Sequence, residues 1–127
     1  MTIQKKMDQT IMEPAIRTVA MPADANANGD IFGGWLLSQM DLAGIIECKK
    51  YQNNRFVTVA IDKMKFKKHV SKGDLVKIYT KIEKLGTTSL TVNIKAFVDR
   101  FENGEIEVTD GFFTYVKIDS ERKPCKL

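Results

Sequence analysis

Asp41 is the residue whose position most invites a chemical explanation. In a helix its neighbours one turn away are Leu37, Ser38, Gly44 and Ile45, within a mostly apolar stretch. A carboxylate there is costly to desolvate unless it is partnered, and Asp is a poor helix former. It either turns to solvent or a lysine, or faces a semi-buried cleft as a base or nucleophile. Upstream stands the pair Gly33-Gly34. In the first turn of a helix the N–H groups lack carbonyl partners and the dipole end is positive. Glycine there lets an oxygen approach the backbone, so an oxyanion can be held without a side chain. The same pair would also suit close helix–sheet packing or a tight turn. Asn26 and Asn28 lie in the Asn/Asp/Gly-rich segment 23–30 and read as turn formers; Asn26 could instead aim its amide at a water or a carbonyl. The segment 63–72, KMKFKKHVSK, holds five lysines in ten positions and no acid. Lys63, Lys65 and Lys67 would share one strand face, which is either solvated or the rim of a phosphate site.

Several chemistries have no foothold in the sequence. There is no GxSxG elbow, no Walker loop and no GxGxxG. The single histidine, His69, sits in the lysine-rich stretch, so a Ser-His-Asp or Cys-His pair would depend on it alone. Cys48 falls near a helix C-terminus, where the dipole disfavours a thiolate, and reads as a small core residue. Cys48 and Cys125 are far apart, with no CxxC or Cys/His cluster. A zinc site and a disulfide framework are therefore not expected, and a cytoplasmic, reducing setting fits. The composition is 43% hydrophobic and 28% charged over 127 residues, that of one ordinary globular domain rather than a disordered chain. No apolar run is long enough to cross a membrane, and the first residues lack a signal-peptide apolar region. The net charge of +4 suits a partner carrying negative charge without choosing between a nucleotide and a nucleic acid.

The elements that would position these residues follow from periodicity. Residues 1–13 are polar and read as a flexible leader. Residues 15–21 are β-branched enough for a strand, which Pro22 ends. Residues 31–50 read as a helix with Asp30 as N-cap and Lys49 and Lys50 at its negative end. Its apolar positions form no single stripe, the pattern of a helix buried all round. Strands are expected over 56–61, continuing to 66, over 75–85, over 90–98 and over 106–118. Val76, Ile78, Thr80 and Ile82 would share one face, and so would Val108, Phe112, Val116 and Ile118. Gly86-Thr87 and Asn103-Gly104 mark turns, so the last three strands form a meander. A helix must lie against the apolar face of that sheet. The expected fold class is therefore α+β, one long helix wrapped by an antiparallel sheet. Phe97, Phe113 and Tyr115 fall on the opposite parity, and pairing with a second copy would cover them.

The stretch 21–41, MPADANANGDIFGGWLLSQMD, resembles the signature of the hotdog-fold acyl-CoA thioesterases, in particular the small bacterial YciA type and the long-chain acyl-CoA hydrolase domains. Asn26, Gly29, Phe32, Gly33, Gly34 and Asp41 carry the likeness. It continues through Val57, Thr58, Val59 and Ala60, through Phe66-Lys67 and Gly73-Asp74, and through Gly86 to the strand over 109–116. His69 stands where the family often has proline. The resemblance implies a hotdog domain over 14–119 with a short tail at 120–127, and hydrolysis of acyl-CoA to CoA and a carboxylic acid. It implies Asp41 as base or nucleophile, the Gly34 N–H as carbonyl-polarising donor and Asn26 positioning water or the carbonyl. It places substrate along Phe32 and Gly33 and along the backbone of Val57, Thr58, Val59 and Ala60. Lys67, Lys84 and the turn Gly86, Thr87, Thr88 and Ser89 are the candidates for the nucleotide end. It further implies a site shared between protomers, at least a dimer and by analogy a trimer of dimers. No metal and no separate cofactor are expected, coenzyme A being part of the substrate, and neither nucleic-acid binding nor membrane insertion.

Three alternatives predict different behaviour. A nucleic-acid module using Tyr51, Phe56 and Phe66 as stacking platforms would bind single strands in a salt-dependent way. A non-catalytic acyl-CoA binder would bind the ester without turnover. A dehydratase of the same fold would need a helix-borne histidine, and His69 lies elsewhere.

Overall fold

The computed structural model describes residues 13–101 and 104–127. The flexible leader expected over 1–13 therefore lies, but for Glu13, outside the described residues, as does Asn103 of the expected Asn-Gly turn. The order of elements is β1 (Ile16–Val19), a 3-10 turn (Pro22–Asp24), α1 (Gly33–Tyr51), β2 (Arg55–Phe66), β3 (Leu75–Leu85), β4 (Ser89–Asp99) and β5 (Glu105–Ile118). The strands form one antiparallel sheet in the order β1-β3-β4-β5-β2. The meander β3-β4-β5 is its centre, and β1 and β2 are its edges. One face of the sheet wraps α1, as the α+β reading anticipated.

The inner face follows the alternation of the sequence through the meander's first two strands. Val76 and Ile78 of β3 are fully buried, and so are Leu90, Val92, Ile94, Ala96 and Val98 of β4. Phe97 points outward and meets Tyr79 edge to face at 5.3 Å between ring centroids. In β5 the expected face holds at Val108 and Ile118, which are buried, and fails between them. Phe113 and Tyr115 are fully buried, whereas Phe112 and Val116 are only half-buried. The cause is a register shift: Ala96 pairs with Thr109 but Phe97 pairs with Glu107. One extra residue, Val108, is taken up by β5, and a one-residue slip turns Phe113 and Tyr115 to the inner face.

Two further irregularities lie in β2, between Thr58 and Ala60 and between Asp62 and Lys65. The second holds Lys63 at φ 54° and breaks the alternation that would have put Lys63, Lys65 and Lys67 on one face. Lys63 lies over the Phe112 ring at 5.8 Å, and Lys67 pairs with Glu107.

The helix also departs from expectation. It starts two residues later, with Phe32 rather than Asp30 at the N-cap. Asp30 is held extended instead, bridged to Ser71. Nor is α1 buried all round. It buries Leu36, Met40, Ala43, Gly44 and Cys48, a single stripe at helical spacing. Leu42 and Ile46 face away from the sheet and are 54% and 39% exposed, as are Val59 and Ile61 on edge strand β2 at 55% and 39%. A single sheet covers only one side of a helix, so the apolar remainder is bare in one chain.

The last residues fold back on the sheet. Pro124 bridges Ile118, and the Leu127 N–H donates to the Thr87 carbonyl at 3.0 Å. No helix among the described residues is long and apolar enough to cross a membrane.

Candidate active site

The start of α1 is an open helix end. The N–H groups of Trp35 and Leu36 both reach the Phe32 carbonyl, at 3.1 and 3.3 Å, and no side chain caps the helix. The amides of Gly33 and Gly34 are therefore first-turn donors without an intrahelical acceptor. Both glycines are exposed. A Cβ on Gly33 would touch the Phe66 ring at 3.5 Å, and one on Gly34 would meet nothing within 4 Å. Open space lies beside Gly33. A cavity of about 330 Å³ opens between Phe32, Gly33 and Leu36 on one side and Phe66–Val70 on the other, with Lys67, Lys68 and His69 among its lining residues.

Asn26 belongs to this end of the molecule. Its Oδ1 accepts from the N–H groups of Asn28 (2.9 Å) and Asp30 (3.1 Å), and its own N–H donates to the Asp30 carbonyl at 2.7 Å. Gly29 completes the turn at φ +87°, in the left-handed region that favours glycine. With the oxygen occupied, the Asn26 side-chain NH2 is the part that remains to donate outward.

Asp41 lies two turns further along the helix, half-buried, on the flank facing β2 and β5. Its Oδ1 accepts from the Thr58 hydroxyl at 2.7 Å and from the Tyr115 hydroxyl at 3.1 Å. The same phenol lies 3.2 Å from the Asp41 main-chain carbonyl. Burial first, and the Asp41 carboxylate second, push the Tyr115 hydroxyl far above its usual pKa, so it stays protonated and can only act as the donor towards that carboxylate. Cys48, one helical stripe deeper, is fully buried. Burial, then the Glu47 and Asp41 carboxylates, raise its thiol to about 12. That is the inert core cysteine the sequence suggested.

Register ties further candidates to Asp41. Val57, Val116 and Ser89 form one row across β2, β5 and β4, and Thr58, Tyr115 and Leu90 form the next. The Gly86–Ser89 turn thus lies at the same end of the sheet as Thr58, about 10 Å from β2 at ordinary strand spacing. A Cβ at Gly86 would meet the Ser89 hydroxyl at 2.6 Å, so that side chain would have to turn away. The carbonyls of Thr87 and Thr88 are engaged by Leu127 and Lys117. Lys84 is exposed beside the turn. Lys67 is at the opposite end, next to Phe66, which pairs with Thr109. The bulge at Val59 leaves its backbone outside the β5 ladder.

Within one chain the candidates therefore fall into two groups. Asn26, Phe32, Gly33, Gly34 and Lys67 cluster at the leading end of α1. Asp41, the segment Val57 to Ala60, Lys84 and the Gly86–Ser89 turn lie towards the other end. Seven residues at 1.5 Å each separate Gly34 from Asp41 by about 10 Å along the helix. Sequence reading missed Tyr115 as a partner of Asp41, because the β5 bulge hides its parity. Two glycines carried a signal: Gly111 inside β5, where a side chain would overlap Met64, and Gly44 inside α1, where one would overlap the Tyr115 hydroxyl.

Comparison with known proteins gives the family and the fold. Residues 28–100 match the family model described as the thioesterase superfamily. The chain is 46% identical over 126 residues to the acyl-CoA thioester hydrolase YciA of Salmonella typhimurium, covering 95% of each. It is similar to the solved hexameric thioesterase y2039 of Yersinia pestis, with a TM-score of 0.86 and 48% identity over 91% of this chain and 94% of that one. A hexameric hotdog-fold thioesterase of Campylobacter jejuni gives a TM-score of 0.84 and 39% identity, covering 91% and 90%.

Proposed function

The chain belongs to the thioesterase superfamily, among its YciA-type acyl-CoA hydrolases, and from that premise we propose that it cleaves acyl-CoA to coenzyme A and a carboxylic acid in a site shared by two copies. The observation that carries the reading is the Asp41 carboxylate. It is half-buried and fixed through one oxygen, which leaves Oδ2 to meet a substrate or a water.

Hydrolysis of a thioester needs a donor for the carbonyl oxygen, an attacking oxygen and a route for one proton. The Gly34 N–H, at the positive end of α1, supplies the donor where negative charge develops. Asp41 takes the proton of the attacking water, or attacks the carbonyl itself before water releases the acyl group. The C–S bond breaks, and the departing sulfur, a good leaving group with a thiol pKa near ~8.5, ends as the CoA thiol. Asn26 directs its amide at the water or the carbonyl.

One chain cannot bring Gly34 and Asp41 to the same carbonyl, because the reacting atoms must lie within ~3 Å of both donor and nucleophile. An antiparallel partner along β2 reverses the ends. It would bring Asn26 and Gly34 of one copy to Asp41, Thr58 and the Gly86–Ser89 turn of the other. The bare apolar residues Leu42, Ile46, Val59 and Ile61 favour such burial. The Yersinia and Campylobacter relatives are hexamers, and a trimer of dimers is the assembly we expect here. In that arrangement the free backbone at Val59 suits the amides of the pantetheine arm, and Lys84 and Lys67 are point charges for CoA phosphates.

The test is release of free thiol from a panel of acyl-CoA chain lengths. Turnover supports the reading; tight binding of the esters with no thiol released would replace it with that of a non-catalytic acyl-CoA binder.

A further inference from the structure

The geometry points to Tyr115 as a positioning residue for the Asp41 carboxylate, admitted to the helix by the absence of a side chain at Gly44. This rests on the reading of Asp41 as the acting carboxylate. Tyr115 is fully buried, yet its hydroxyl reaches Oδ1 of Asp41 at 3.1 Å and the main-chain carbonyl of the same residue at 3.2 Å. A large aromatic can touch a helix backbone this closely only where a Cβ is missing. Gly44, three residues beyond Asp41, provides that gap: an added Cβ would overlap the phenol oxygen, lie 2.5 Å from Cζ, and lie 2.8 Å from Ile94 Cδ1. Glycine in a helix interior costs about 1 kcal/mol relative to alanine. A position that accepts this cost without a turn or positive φ has a packing reason, and the reason here is the phenol.

The consequence concerns orientation. Two donors on Oδ1, from Thr58 on β2 and Tyr115 on β5, fix the plane of the carboxylate against two strands. Thr58 lies on an edge strand beside a bulge, whereas Tyr115 is clamped in the core and stacked near Phe113 at 6.4 Å. The phenol is thus the rigid anchor of the pair, and it can donate to one acceptor at a time. Shared between the side chain and the carbonyl, it ties the carboxylate's direction to the helix backbone itself. Carboxylates held within a narrow angular range react faster than freely rotating ones, while substrate binding is untouched.

Steady-state kinetics of Tyr115→Phe on the best acyl-CoA tests this. The expected result is a ~10–100-fold loss of kcat, the range for a hydrogen bond to a charged group, with KM within threefold and the oligomer intact. A second variant, 3-fluorotyrosine introduced at position 115, changes donor strength with almost no change in volume. Its kcat should depart from wild type by at least twofold, which also settles the matter if Tyr115→Phe does not fold. Wild-type kcat in the fluorotyrosine enzyme, wild-type kcat in a folded Tyr115→Phe, or a rise in KM alone would each overturn the role. Absence of thiol release by the unmodified protein would instead defeat the thioesterase reading, so the two failures are distinguishable.

Discussion

The leading end of α1 and its middle use opposite means to offer chemistry. At the start, two exposed glycines present first-turn backbone amides, Gly33 in the wall of a cavity, and no side chain is spent. In the middle, a single carboxylate is held by side chains from two strands, one of them a fully buried tyrosine. The first arrangement depends on local backbone geometry and tolerates a poorly packed surround. The second depends on three elements meeting correctly. The proposed function therefore rests on two different things, a donor any helix end possesses and a carboxylate direction that only this sheet creates.

The sharpest way to break the contrast is at the carboxylate. Asp41→Ala should lower kcat by about 10²–10⁴-fold, the span for loss of a positioned base, with thiol release as the readout; activity retained within tenfold would remove Asp41 from the chemistry. A single-turnover reaction in ¹⁸O-water then bears on its two roles: general-base attack puts one ¹⁸O into the first acid formed, whereas direct attack followed by water at the Asp41 carbonyl of the anhydride leaves that acid unlabelled and puts the ¹⁸O into Asp41.

The backbone end is addressed by a pair of substitutions at one position. Gly34→Pro deletes the N–H within the first helical turn, where proline is tolerated, and should cost about 10²-fold in kcat. Gly34→Ala keeps the donor and has free space for its methyl, so its effect on kcat should be under tenfold. Equal losses in the two variants would show that space, not the amide, matters there.

Whether the two regions work in one site or two is decided by mixing. Asn26→Ala and Asp41→Ala chains, each inactive, are denatured together and refolded. With a shared site, half the dimers are mixed and each holds one intact site, so about a quarter of wild-type activity returns. No recovery would place Asn26 and Asp41 of each site in the same chain.

The smallest effect is expected from the cysteines. Burial raises Cys48 to about 12, so at pH 8 it is a thiol and only about one part in 10⁴ thiolate. The folded-state shift favours the protonated form; its stabilising share is full below the unfolded value of ~8.5 and disappears as pH rises towards 12. Iodoacetamide at pH 8 should modify the partly exposed Cys125 with little loss of activity, and reach Cys48 only on unfolding, as counted by intact mass.

Much of the positioning scaffold is written in local pattern. Alternation located β3 and β4 and the faces of both, because a period of two survives wherever a strand is regular. The helix was legible from its length and apolar content, and the glycine pair from its place at the helix start. The helix boundary was not: Asp30 is a good N-cap by type, but its bridge to Ser71 claims it for an extended segment. The lysine run misled for a similar reason, since its strand face exists only without the bulge at Lys63.

The types and spacing of Asn26, Gly34 and Asp41 are properties of the chain alone, as are the α+β class and the meander, because turn residues and hydrophobic period act over a few neighbours. The partner of Asp41 is not. One extra residue in β5 turns Tyr115 from the outer face to the inner, and its meeting with Gly44 and Asp41 spans 71 and 74 positions of sequence. Register over such separations is settled by the packing of the whole sheet against the helix, which no local signal records.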